Sequence, residues 1–360
     1  MEKIKSFLAK KNVEISAKRY GIDALGAMAQ GLFCTLLIGT ILDTLGKQFH
    51  IGLLTATFGK AELTIGGFAS AMVGPAMAAA IGAALGAPPL VLYSLIPVGY
   101  ATNMLGGAGG PLAVLLVSIV AAECGKLVSK ETKIDILVTP TVTILAGIGL
   151  AALVAAPIGA VASAVGQIIM WATNQQPFLM GILVSVVVGV ALTLPISSAA
   201  ICFALGLTGL AGGAAVAGCC AQMVGFAVMS YKENGVGGLV SQGIGTSMLQ
   251  MPNIVRNPRI WIAPTLASAI TGPIATCIFK LTMDGPAVSS GMGTCGFVGQ
   301  IGVYTGWLAD IEAGTKAAIT PFDWLGLVLI CFVLPALLST LFCEAERRLG
   351  WIGEGDLTLS

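Results

Sequence analysis

The side chains best suited to holding a small hydroxylated solute gather in one stretch of the chain. Residues 231–253, YKENGVGGLVSQGIGTSMLQMPN, contain one carboxylate, Glu233, in a sequence that otherwise avoids charge. A carboxylate in an apolar bundle is costly unless it binds something, so Glu233 is the candidate catalytic group, with an ion pair to Lys232 as the alternative. Four amides in this stretch can donate and accept hydrogen bonds, as a polyhydroxyl ligand requires. They are Asn234, Gln242, Gln250 and Asn253.

Three further amides lie within apolar runs or at breaks in them. Asn103 lies in a second glycine-rich stretch, YATNMLGGAGGP (100–111), and Gln300 lies in a third, GPAVSSGMGTCGFVGQIG (285–302). Gln222 lies deep inside an apolar run. Each is a candidate ligand for the solute, and the alternative is bonding to a neighbouring helix or to nearby backbone.

Two serines and one acid complete the candidate site. Ser197 and Ser198 follow a proline in LTLPISSAAI (192–201), so they either bind the solute or recapture the carbonyls that the proline frees. Glu123 precedes Lys126 by three residues, which places both side chains on one helical face. An ion pair between them is the alternative to a role in binding.

Several kinds of chemistry find no support in the residues. His50 is the sole histidine, so a histidine dyad or a Ser-His-Asp triad is not expected, and the nine cysteines lack paired metal-ligand spacing. No nucleotide-binding glycine motif is present. The net charge of +1 carries no basic stripe for nucleic acid. We therefore expect no metal, no cofactor and no nucleic-acid partner.

Composition sets the elements that must position these side chains. The 360 residues are 56% hydrophobic and 10% charged, and neither 63–122 nor 136–231 contains an Asp, Glu, Lys or Arg. Both stretches far exceed the roughly 20 apolar residues that cross a bilayer, so each must fold back through it. The pattern predicts an all-α, polytopic membrane bundle.

The apolar runs predict about ten spans, two of them weakly defined. They are 24–46, 66–88, 89–106, 112–129, 136–157, 178–200, 212–231, 239–251, 260–283 and 322–343. Residues 1–22 predict a cytoplasmic amphipathic helix with Ile4, Phe7 and Leu8 on its apolar side, and 344–360 a cytoplasmic tail. When the chain is passed through these spans from a cytoplasmic N-terminus, each basic cluster lies on the cytoplasmic side. This is the side on which positively charged loops of membrane proteins are enriched.

An internal repeat relates two halves, 23–175 and 176–343. GAGGPL (107–112) matches GVGGLV (235–240), and KIDILVTPTVTILAG (133–147) matches RIWIAPTLASAITG (259–272). Because the basic clusters of both copies are expected on the cytoplasmic side, we interpret the copies as parallel repeats; an odd number of spans between them would make them inverted. Paired glycine-interrupted segments indicate a transporter's binding site, so we expect the broken helices of the two halves to meet at mid-bilayer around a wet pocket.

The motifs TLPISSAAI, AGCCAQMVGFAVMSYKENGVGGLVSQGIGTSMLQMPNIVRNPRIWIAPTLASAITGPIAT and GMGTCGFVGQIG resemble the bacterial phosphotransferase-system enzyme IIC-like family. This family includes sugar-permease IIC subunits and a toxin-regulator type. The similarity extends over nearly the whole chain and is densest from about 178 to 302.

The resemblance implies a multi-span permease of the bacterial inner membrane, commonly dimeric, that binds a sugar-like solute and releases it to the cytoplasm. It also implies separate IIA and IIB phosphocarrier partners, with IIB phosphorylating the bound sugar near a carboxylate and often a histidine. Glu233 matches that carboxylate by position, whereas His50 lies far away and no IIA or IIB domain is fused here. A ligand-sensing regulator without transport and an ion-coupled carrier remain the alternative functions.

Overall fold

The computed structural model describes residues 2–359, without the side chains of residues 2–5, Gln48 and Ala204. The expected role of Ile4 therefore lies outside the described residues. Within this range the chain is helical, and its extended pairing is limited to two isolated bridges, Phe58 with Leu63 and Gly209 with Met283. The prediction of an all-α fold is confirmed.

The helices follow one another with short connections. In chain order they are α1 (Glu2–Lys10), α2 (Arg19–Lys47), α3 (Gly52–Thr55), α4 (Ile65–Ala71), α5 (Val73–Ala84), α6 (Pro89–Gly106), α7 (Gly110–Val128), α8 (Asp135–Thr173), α9 (Pro177–Thr193), α10 (Ser198–Ala204), α11 (Gly209–Met229), α12 (Tyr231–Val240), α13 (Met251–Arg256), α14 (Pro258–Phe279), α15 (Val298–Glu312) and α16 (Pro321–Arg348). Single turns of tighter or wider helix lie between them at Gly107–Gly109, Ser241–Gly245, Ser247–Gln250, Ala287–Gly291 and Cys295–Phe297.

The expected count of ten spans is not confirmed. Among the described residues, 6 helical runs are long and apolar enough to cross a membrane, or 7 if the bent pair α4 and α5 forms one span. Helices α6 and α7 form a single run of 40 residues by this measure, and α9 is apolar but short. The weakly defined passage 239–251 consists of a helix end and two irregular turns, because its glycines and polar side chains do not sustain a long apolar helix.

The chain divides into two compact units. Unit 1 comprises residues 1–40 and 57–161, and unit 2 comprises 41–56 and 162–360. In unit 1, the first half of α2 packs against α5, and α5, α6 and α7 pack against one another. A methyl group added at Gly74 of α5 would meet the carbonyl oxygen of Gly99 of α6, and the reverse also holds. Small residues thus let these two backbones touch, as expected for helices packed in lipid.

Helix α11 forms the centre of unit 2. It packs against α9, α14 and α16, and 94% of its 18-residue apolar window is buried. Gly218 of α11 lies directly against the backbone of Ser185 in α9, so no side chain fits between the two helices. A buried helix of this kind must have every polar side chain satisfied by its neighbours.

Two glycines at matching positions of the repeat share an unusual backbone conformation. Gly107 has φ 51° and ψ −127°, and Gly235 has φ 58° and ψ −155°. Residues with a Cβ strongly disfavour this region. The shared geometry supports the internal repeat, and in both copies it interrupts the helix where the glycine-rich sequence predicted a break.

We expect the substitution Gly235→Ala to destabilise the protein by about 1–3 kcal/mol, because alanine must adopt a conformation reserved for glycine. Gly237→Ala is the matched control, since Gly237 lies two residues away, has equally open surroundings and lacks the positive φ. The control is expected to gain roughly 0.5–1 kcal/mol. Thermal unfolding in detergent measures both, and equal melting temperatures would contradict the prediction.

Candidate functional site

The candidate residues fall in both units. Asn103 and Glu123 belong to unit 1, and the remaining candidates belong to unit 2. Asn103 is half-buried beside the backbones of Gly74 and Gly110. Glu123 forms an ion pair with Lys126 at 2.8 Å, which is the alternative that their spacing indicated. The expectation that the interruptions of the two halves enclose one pocket stays a prediction.

The four amides of residues 231–253 form one connected group, here called the amide cluster: Asn234, Gln242, Gln250 and Asn253. Gln242 donates to the Ser230 hydroxyl at 2.8 Å, and Gln250 donates to the Gln242 carbonyl oxygen at 2.8 Å. Asn253 in turn donates to Gln250 at 2.8 Å. These bonds join residues 3 to 12 positions apart across the irregular turns that follow α12.

The last residues of the chain occupy the amide cluster. Asn234 donates to the Leu357 carbonyl at 2.8 Å and accepts from the Leu359 amide at 2.8 Å. Gln250 also donates to Leu357, at 3.0 Å, and Asn253 donates to the Thr358 carbonyl at 2.9 Å. Leu357 is fully buried. Three of the four predicted ligand amides therefore bind the main chain of the C-terminal segment 349–359.

A second group of polar side chains surrounds Gln222, and we call it the Gln222 cluster: Thr193, Gln222, Ser247, Trp261 and Thr265. The Gln222 carbonyl oxygen accepts from the Trp261 indole at 2.9 Å and from Thr193 at 3.3 Å, and its amide donates to Thr265 at 3.3 Å. Thr193 also bonds the Ser247 hydroxyl at 2.8 Å. Side chains of α9 and α14 thus converge on one buried amide of α11, and Thr193 connects this amide to the turn Ser247–Gln250.

One irregular turn connects the two clusters. Ser247 and Gln250 are the first and last residues of the turn Ser247–Gln250, and they belong to the Gln222 cluster and the amide cluster respectively. Ser230 directly follows α11 and is eight residues from Gln222, which corresponds to about 12 Å along a helix. The broken segment therefore supports a continuous polar track beside a helix that is otherwise apolar.

Glu233 pairs with Arg347 and not with Lys232, the partner considered in the alternative interpretation. One of its carboxylate oxygens accepts from Arg347 of α16 at 2.5 Å, and the other is buried without a partner in the described structure. The pair borders a cleft of about 600 Å³. Its charged lining consists of Lys232, Glu233, Glu344, Arg347, Arg348 and Glu354.

Ser197, Ser198 and Gln300 lie around the third glycine-rich stretch. Ser197 accepts a bond from the Ala200 amide and so caps α10, whereas Ser198 donates to the Gly291 carbonyl at 2.8 Å. Gln300 donates to the Cys220 sulfur at 3.2 Å, and its buried carbonyl oxygen has no partner among the described residues. This oxygen is a free acceptor for a ligand donor.

Several polar residues of the Gln222 cluster and of the charged cleft were not predicted from the sequence. Trp261 and Thr265 are four residues apart in RIWIAPTL, a spacing that places them on one helical face and was available as a signal. Thr193, Arg347 and Glu346 carried no comparable signal. Both carboxylate oxygens of Glu346 are buried without a partner among the described residues.

The chemistry available here is hydrogen bonding to a neutral polar ligand, with carboxylates nearby. Amides and hydroxyls supply both donors and acceptors. In the part of the chain that the structure describes, no group of three His, Cys, Asp or Glu residues is placed to hold a metal ion.

We expect Gln250→Leu to loosen the C-terminal segment, because it removes one of the two bonds to the Leu357 carbonyl and leaves the buried carbonyl oxygen of Gln242 unsatisfied, at a cost of about 1–3 kcal/mol. Hydrogen exchange of the Leu359 amide is expected to accelerate. Gln176→Leu, at an exposed residue before α9, is the control and leaves the exchange unchanged. Unchanged exchange in Gln250→Leu would mean that packing of Leu357 alone holds the segment.

Comparison with known proteins places the chain in a family. The family model described as Phosphotransferase system, EIIC matches residues 22–359. No curated protein and no solved structure matches the chain. With the apolar helical runs, the match identifies a bacterial multi-pass membrane protein of the sugar-permease type in general. The chain belongs to the phosphotransferase-system EIIC family.

Proposed function

We propose that this chain is a IIC-type permease that binds a sugar or related small polar solute through the Gln222 cluster. The observation that carries the proposal is the polar track beside α11, which runs from Trp261 through Gln222 and Ser247 to Gln250. Polar groups within membrane-spanning bundles are expensive and therefore concentrate along solute pathways.

The residues of the Gln222 cluster match the surface of a sugar. Thr193, Gln222 and Ser247 are buried, while Trp261 and Thr265 are half-buried and form the approachable side. Hydroxyl groups of a sugar can replace the bonds that these side chains make with one another, and an indole ring can cover the apolar face of the sugar. Asn103, Ser197, Ser198 and Gln300 remain secondary candidates.

Coupling to phosphorylation by separate IIA and IIB partners is the finer part of the proposal. Glu233 is the candidate catalytic carboxylate, because Arg347 orients one of its oxygens and the other is left to accept a bond from a ligand hydroxyl. A homodimer with both termini in the cytoplasm completes the proposal. The dimer is supported by the resemblance to the family. The cytoplasmic C-terminus is supported by the positive charges of Arg347 and Arg348 at the end of α16.

Uptake of radiolabelled sugars and polyols into proteoliposomes tests the function, after a thermal-shift screen has selected the solutes. We expect uptake that increases when phosphorylated IIA and IIB carriers are supplied. Uptake that is indifferent to the carriers would contradict the coupling. Binding without uptake would favour a ligand-sensing regulator, and neither binding nor uptake would contradict the permease.

We expect Gln222→Leu to weaken solute binding tenfold to a hundredfold, because it removes bonds that contribute about 1.5–3 kcal/mol in such a site. Gln176→Leu, an exposed glutamine outside both clusters, is the control and keeps its affinity. Calorimetric titration with the solute selected by the screen gives both affinities. Equal affinities would remove the Gln222 cluster from the site.

Glu346 favours an ion-coupled carrier as the second candidate function. A buried carboxyl without hydrogen-bond donors is far less costly neutral than charged, so it is suited to taking up a proton during transport. In this case Glu346→Gln makes uptake independent of the proton gradient. Glu312→Gln, at the exposed end of α15, is the control. Retained gradient dependence in Glu346→Gln would exclude a coupling role for Glu346.

A further inference from the structure

A basic cleft in unit 1 is separate from every residue assigned to the solute. It has a volume of about 380 Å³ and lies where the end of α1, the loop after α5 and the loop between α7 and α8 come together. Four lysines and one glutamate line it: Lys10, Lys11, Lys126, Lys130 and Glu131. The lining is therefore strongly positive in a protein whose net charge is +1.

Two of the four lysines are committed to the protein. Lys126 is buried and donates to the carbonyls of Asn12 at 2.7 Å and Leu85 at 3.0 Å while pairing with Glu123. These contacts surround its ammonium with three oxygen atoms and tie the N-terminal segment to α7. Lys11 bonds Glu131 and the Ser129 carbonyl.

The other two lysines are available to an anion. Lys10 and Lys130 are exposed and form no ion pair with a described residue. The ammonium of Lys11 lowers the pKa of Glu131, so that glutamate remains charged and keeps Lys11 engaged. Two unpaired cations thus face an open cleft, which makes it complementary to a group of negative charge.

A second, largely apolar cleft adjoins the basic one. It has a volume of about 530 Å³, shares Asn12 with the basic cleft, and is otherwise lined by Leu8, Ala9, Val13, Glu14 and Ile15. The side chain of Ile15 is 82% exposed. Leu8, Ala9, Val13 and Ile15 together form a contiguous apolar surface that an apolar partner can cover.

Both clefts lie at the level expected for the membrane surface. The N-terminal segment ends where the first candidate span begins at Arg19, and Lys130 lies between the candidate spans that end at Val128 and begin at Asp135. A partner at this level that is both anionic and apolar is a phospholipid. Basic pockets beside membrane helices are known to select such headgroups.

We propose that the two clefts form a binding site for one anionic phospholipid, whose phosphate group lies between Lys10 and Lys130 and whose acyl chain covers Ile15. The site is independent of the proposed transport function. It anchors the N-terminal helix to the lipid and places the lipid phosphate beside Lys126, which bonds Asn12 and Leu85.

Native mass spectrometry of the full chain in detergent, titrated with dioleoyl phosphatidylglycerol, tests the site. We expect tighter binding of this lipid than of dioleoyl phosphatidylcholine. The double variant Lys10→Gln/Lys130→Gln is expected to lower its affinity on the order of 25-fold, about fivefold for each lysine near an anionic lipid surface. Lys60→Gln/Lys280→Gln, at exposed lysines outside the cleft, keeps the affinity of the natural chain.

Additional binding measurements distinguish recognition of the lipid from recognition of a soluble anion. Glycerol phosphate is expected to bind much more weakly than the lipid, and Ile15→Ser lowers the affinity for the lipid alone. Lys10→Arg/Lys130→Arg retains most of the affinity and shows that loss of binding does not follow from misfolding. Equal binding of glycerol phosphate and the lipid, or equal loss in the two glutamine variants, would overturn the proposal.

Discussion

A polar group surrounded by lipid has no water to bond, so it must be satisfied by another part of the same protein. Helix α11 imposes this requirement most strictly, because almost all of its apolar window is buried among other helices. Its glycines let α9 approach to backbone contact, which excludes water from the crossing at Gly218 and Ser185. Gln222 on such a helix therefore needs partners, and Trp261, Thr193 and Thr265 supply them.

The same requirement explains the irregular segment that follows α11. Its helical bonds are interrupted at Gly235 and again between residues 241 and 250, where the chain forms wider and tighter turns. The amides in this segment satisfy one another and the C-terminal main chain instead of water. Polar residues and glycine thus occur together, since the glycines bend the backbone and the amides compensate for the bonds that bending removes.

The two units differ in which charged residue they bury: a lysine in unit 1 and a glutamate in unit 2. In unit 1, Lys126 is buried at the end of α7 with three oxygen partners. Lys10 and Lys130, which line the same cleft, form no ion pair with a described residue. In unit 2, Glu233 and Arg347 pair beside a charged cleft, while Glu346 is buried without a hydrogen-bond partner among the described residues. Pairing offsets the cost of burial, so the groups left without partners are the ones with capacity to bind something else.

The sequence by itself determined the all-α membrane fold, the family, the breaks at Gly107 and Gly235 and the helical face that Glu123 shares with Lys126. Each of these follows from composition, a long motif or spacing within one helix, all of which are local properties. The tertiary structure decided that Glu233 pairs with Arg347, that Trp261 and Thr193 converge on Gln222, and that residues 357–359 occupy the amide cluster. These contacts join residues 29 to 125 positions apart. Local patterns could not predict them, because an amide that needs a partner accepts any carbonyl or hydroxyl the folded chain brings within reach.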